Sequence, residues 1–144
     1  MVESSLDNEK NIFEKIRDNE AQSKIVYQDT WVTGFLDINP DAPIHILLIP
    51  NKKFNSLQDI SEADSVYMIK ILMAAKNLAQ KHQIHDSGYR LITNCGENGG
   101  QEIDYLHFHL VGGVKLGKMI NLPRKSRKEF KKMTVKKYGY TTEV

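Results

Sequence analysis

A single cysteine, Cys95, rules out a disulfide within the chain, and a reducing compartment is the setting that suits a lone thiol. Long apolar runs are missing as well: no stretch approaches the roughly 18 residues that a membrane-spanning helix needs. The opening residues Met1-Val2-Glu3-Ser4-Ser5-Leu6-Asp7 are acidic and lack an apolar core, so no secretory signal is expected and the protein is expected in the cytoplasm. A surplus of positive charge over the body is also absent. Residues 121–144 carry eight Lys/Arg against two Glu, which leaves 12 Lys/Arg against 16 Asp/Glu in the other 120 residues. The pI of 8.6 therefore belongs to the tail. That division excludes a whole-protein argument for nucleic-acid binding. What is present is ordinary for a water-soluble domain, with 40% hydrophobic and 26% charged residues among 144, enough for one modest core.

Three parts follow: a polar extension over residues 1–9, a domain over 10–120 and a basic tail over 121–144. Ile12, Phe13 and Ile16 have helical spacing, which predicts a short helix between Lys10 and Arg17. Ile25–Tyr27 and Trp31–Leu36 read as strands around a turn at Gln28-Asp29-Thr30. A loop broken by Pro40 and Pro43 leads into Ile44–Ile49, an apolar, β-branched run that reads as a central strand ended by Pro50. Ser61 is placed to cap a helix running to about Lys81, with Val66, Ile69, Leu72 and Met73 inward. Tyr89–Asn94 predicts a further strand, and a turn rich in glycine and asparagine returns the chain into a last one, from about Ile103 to Val111. Strands joined by tight turns around one long helix make this an α+β chain with an antiparallel sheet of about five strands.

The last strand carries the chemistry. Alternation puts Tyr105, His107 and His109 on one face and Leu106, Phe108 and Leu110 on the other. Two imidazoles side by side can ligate a metal or attack an electrophile. A metal site would need further ligands, for which His45 and Cys95 are the candidates. A nucleophilic site needs donors for an oxyanion instead, and the amides of Gly99 and Gly100 with the side chains of Gln101 and Asn94 could supply them. Donors without charge suit a phosphate that is already esterified.

The run Gly99-Gly100-Gln101-Glu102-Ile103-Asp104-Tyr105-Leu106-His107-Phe108-His109-Leu110-Val111-Gly112-Gly113 resembles the histidine-triad (HIT) signature, and most of all the bacterial Hint-like branch of nucleotide-binding proteins. The opening Ile12–Ile16, the segment Phe35–Asn51 with its Asp37-Ile38-Asn39-Pro40-Asp41-Ala42-Pro43-Ile44-His45 core, and Gly88–Asn94 are similar to other parts of the family in the same order. The resemblance implies a HIT-like fold acting as a homodimer with a continuous sheet, and a purine nucleoside phosphoramidase that needs no metal and no cofactor. It implies His107 as nucleophile, His109 as a ligand of the phosphate oxygen, and His45 as support for the cluster. Asn94, Gly100, Gln101 and Glu102 would line the phosphate and leaving-group region, Asp37 would hold the ribose hydroxyls, and Ile12, Phe13, Phe35 and Ile38 would form a slot for the base.

Two positions depart from the family. Tyr105 stands where the first triad histidine is expected; a phenol, with a pKa of about 10, is neither a cation nor a ready base at pH 7. Val114-Lys115 stands where the bacterial relatives usually have an arginine. Retained nucleotide binding and retained, slower hydrolysis is the expectation. The alternatives are a nucleotide-binding or scaffold protein with little turnover, another nucleotide hydrolase of the same superfamily, or a histidine-based metal hydrolase. The basic tail suits an acidic partner, without specific nucleic-acid recognition.

Overall fold

The computed structural model describes residues 9–123, together with Ser126 and Glu129. The expectations for residues 1–8 and for most of the basic tail fall outside the described residues. The Asn11 side chain accepts from the Glu14 amide while the Glu14 carboxylate takes the Asn11 amide, a reciprocal cap for helix α1, Ile12–Arg17. Five strands follow, β1 (Ile25–Gln28), β2 (Val32–Leu36), β3 (Ile44–Pro50), β4 (Tyr89–Thr93) and β5 (Phe108–Gly112), with helix α2 (Ser65–Lys81) between β3 and β4. They form one antiparallel sheet in the order β1-β2-β3-β5-β4.

The alternation of β3 divides the core in two. Ile46 and Leu48 point to one face and pack with Val32, Leu110 and the helix residues Ile71, Ala75 and Leu78. Leu47 and Ile49 point to the other, where they meet Phe13, Ile16, Phe35 and Tyr105. Helix α2 thus covers one face of the sheet, while α1 and the segment before β5 cover part of the second.

Three details of the sequence reading are corrected. Ser61 makes no capping bond to the backbone; its hydroxyl donates to Asp64, and a short 3-10 turn, Glu62–Asp64, precedes α2. The inward face of α2 is Ile71, Ala74, Ala75, Leu78 and Ala79, whereas Ile69, Leu72 and Met73 are exposed. Alanines let the helix lie close to the sheet, so the bulkier side chains are turned away from it. The last strand begins only at Phe108, because the Tyr105 and Leu106 amides bond to the Ile103 and Phe54 carbonyls instead of entering the ladder.

Candidate active site

One row of paired residues crosses the whole sheet. Ile25 faces Phe35, Phe35 faces Leu47, Leu47 faces His109 and His109 faces Ile92. Directly opposed residues share a face, so the row runs from apolar side chains to an imidazole on the face that α2 leaves open. Over it lies a cleft of about 560 Å³. Ile12, Phe13, Ile16, Phe35, Ile38 and Ile103 give it apolar walls, and His107, His109, Asp37, Asn94 and Glu102 give it polar ones.

Hydrogen bonds assign the three imidazoles their tautomers. The Asp41 amide donates to His45 Nδ1 at 3.0 Å, so His45 carries its proton on Nε2. That Nε2 lies 2.9 Å from His109 Nδ1 and 3.4 Å from Asp37 Oδ2. His109 therefore accepts at Nδ1 and keeps its own proton on Nε2. Burial, helped by the neighbouring His107 and His45, pushes the His109 pKa down to about 4, so this ring is neutral at pH 7. His107 is arranged the other way round. Its Nδ1 donates to the Tyr105 carbonyl at 2.6 Å, which leaves Nε2 with a free lone pair. The two rings stand 5.0 Å apart, centroid to centroid, and Phe13 packs edge-on against His107 at the same separation. Adjacent imidazoles thus offer one nucleophilic nitrogen and one neutral N–H donor.

Of the residues expected at the site, Ile12, Phe13, Phe35, Asp37, Ile38, Asn94, Gly100, Glu102, His107 and His109 all line the cleft. Three do not. His45 lies behind His109, hydrogen-bonded to it. The Gln101 side chain is spent on the main chain, donating to the Asn55 and Ile103 carbonyls and accepting from Gly96, so it braces the glycine loop. Tyr105 is fully buried: its hydroxyl donates to the Pro50 carbonyl, and Arg17 approaches that oxygen at 3.5 Å. Burial pushes the phenol's pKa up, so it stays protonated and able to donate. The expected amide cradle is also reduced, since the Gly100 N–H already bonds to the Glu97 carbonyl. Ile16, Gln22, Ser23, Leu36, Asn39, Asp41, Leu47 and Ile103 also line the cleft and were not expected at the site. Asn39 and Asp41 lie in the Asp37–His45 segment that resembles the family, and Leu47 lies two residues beyond His45 on the same strand; Gln22 and Ser23 carry no such signal.

Asp37, His45 and His109 offer ligand atoms within 4.8 Å of one another, a set that a divalent cation could use. His107 is not in that set.

The HIT domain model matches residues 18–116, which includes β1 to β5, His107 and His109. The chain belongs to the HIT family. It is 49% identical over 109 residues to an uncharacterized HIT-like protein of Buchnera aphidicola subsp. Baizongia pistaciae, spanning 76% of this chain and 97% of the relative. It is 44% identical over 112 residues to the purine nucleoside phosphoramidase of Escherichia coli K12, spanning 78% and 94%. A solved HIT family hydrolase from Clostridium thermocellum superposes with a TM-score of 0.75 at 42% identity, spanning 78% of this chain and 98% of that one.

Proposed function

We propose that this HIT protein hydrolyses purine nucleoside phosphoramidates through a covalent intermediate on His107. The observation that carries the reading is the opposed protonation of neighbouring rings, with a bare Nε2 on His107 and an Nε2–H on His109. In the first step His107 Nε2 attacks the α-phosphorus, a P–N bond to the histidine forms, and the P–N bond to the amine breaks. The departing amine takes up a proton from solvent. The His109 Nε2–H bonds to a phosphate oxygen as charge builds on it, and being neutral already it needs no proton rearrangement to do so. Water then attacks the nucleotidyl-histidine, releases the nucleoside monophosphate, and returns a proton to solvent. Asp37, on the cleft wall, would accept from the ribose diol, and the apolar walls would take the base.

In this scheme Tyr105 acts through its main chain. Its buried ring anchors the peptide whose carbonyl holds His107 Nδ1, so it is a positioning residue and does not touch substrate. The homodimer belongs to the same reading: β4 is an edge strand, and exposed Ile69, Leu72, Met73, Tyr89 and Ile92 offer apolar surface to a second copy. Among the described residues no helix is long and apolar enough to cross a membrane. A cytoplasmic setting, suited to the lone thiol, and an acidic partner for the basic tail complete the proposal.

Hydrolysis of adenosine 5′-phosphoramidate tests it, with EDTA present and with His107→Ala and Tyr105→His alongside the native chain. Turnover that resists EDTA and vanishes in His107→Ala is the expected result. Nucleotide binding without turnover in the native chain would favour the binding-protein alternative raised by Tyr105. Loss of activity on chelation, restored by zinc, would shift the chemistry to the Asp37, His45 and His109 set.

A further inference from the structure

The row that reaches His109 begins beside two polar side chains that the hydrolytic chemistry does not use. Gln22 and Ser23 line the cleft just ahead of β1. Their position is set by the backbone: the Ile25 amide donates to the Ser23 carbonyl at 3.2 Å, and the Leu36 amide to the Lys24 carbonyl at 3.0 Å. Three strand-to-strand steps separate Ile25 from His109 along the row, so the two ends of the cleft are about 14 Å apart. That is the reach of a purine mononucleotide laid from a phosphate held by His109, across its ribose, to the far edge of its base. Between the ends the floor is Phe35 and Leu47, which offer apolar contact and no hydrogen bonds to the ring faces. Neither the Gln22 nor the Ser23 side chain has a hydrogen-bond partner among the described residues.

We infer that Gln22 reads the hydrogen-bonding edge of the base and sets the base preference of the enzyme; this rests on the nucleotide-hydrolase reading above. A carboxamide presents one acceptor and two donors side by side, and can meet an adjacent donor–acceptor pair on a purine with two bonds. It can turn over to suit adenine, with N6–H and N1, or guanine, with N1–H and O6. A purine lacking an exocyclic group offers only the N1 acceptor and loses one of the two bonds.

The test compares kcat/KM for the 5′-phosphoramidates of adenosine, guanosine and unsubstituted purine riboside in the native chain, Gln22→Leu and Gln22→Glu. One net hydrogen bond predicts that the native chain prefers adenosine to the unsubstituted purine about fivefold. In Gln22→Leu that ratio falls toward one. Gln22→Glu keeps only acceptors, so it favours guanosine, whose N1–H and N2–H lie together, over adenosine. Such a shift toward guanosine is not produced by loosening the fold, and Gln22 is exposed, so both variants should fold. Identical base ratios in all three proteins overturn the inference and leave the reaction standing. If the native chain turns over none of the three compounds, the phosphoramidase reading fails instead. Calorimetric affinities for the matching monophosphates then decide the base contact, and ratios unchanged by Gln22→Leu overturn it.

Discussion

Removing the Tyr105 hydroxyl would leave the Pro50 carbonyl buried without its donor. Tyr105→Phe is therefore expected to lose about 1–3 kcal/mol of stability in urea unfolding. Because the same residue's carbonyl orients His107, kcat should fall with KM little changed; a variant of native stability and native kcat would remove Tyr105 from the mechanism. His109 gives a second residue-level prediction. Its ring titrates near 6.5 when unfolded and at about 4 when folded, so the unfolded chain binds the extra proton between those values. The stabilisation is complete above pH 6.5 and is lost as pH falls toward 4. Thermal melts across that range should show the decline, and His109→Asn should flatten it. Residue types at the site were legible in the sequence, since His107, His109, Asp37 and Asn94 are side chains with evident chemistry. Their partners were not. Gln101 looked like a donor for phosphate, and only the folded loop reveals that Asn55, Ile103 and Gly96 already engage it.

Elements with an unambiguous period came through the sequence with their edges nearly right. Apart from His45, β3 is an apolar run rich in β-branched residues and ended by Pro50. Helix α2 was found but turned wrongly, because Val66, Met68, Ile69, Ile71, Leu72 and Met73 place apolar groups on every side of its first turns. Size then decides the orientation. Ala74, Ala75 and Ala79 form the stripe that lies against the sheet, where Ala75 is 1% exposed. Ala75→Leu should overpack that contact and cost about 1–3 kcal/mol in a chemical melt. An unchanged midpoint would mean that the helix can lift off the sheet without loss. The premature start given to the last strand at Ile103 has a similar origin: Tyr105 and Leu106 alternate like strand residues, yet their amides serve Ile103 and Phe54.

At the scale of the molecule, strand order is what no local pattern could provide. After α2 the chain places β4 at the sheet's edge, and β5 returns to fill the gap beside β3. That insertion brings His109 next to Leu47 and within reach of His45, and among the described residues it leaves β4 with one side of its ladder open. An open edge is a template for another strand, and a two-fold pairing of β4 with its own copy satisfies both chains with the same contact. Ile69 and Leu72 are 59% and 52% exposed in the single chain, so they add apolar surface that a second copy can cover. The native protein is therefore expected to sediment at about twice 16.5 kDa. Ile69→Lys with Leu72→Lys should yield a monomer that still melts cooperatively, since neither side chain supports the protomer's own core. A native monomer, or a dimer indifferent to both lysines, would place the contact elsewhere. Activity measured on the same samples adds a further reading. Turnover that survives in the folded monomer would keep the chemistry within one protomer, and turnover lost with the partner would give the second copy a part in completing the site.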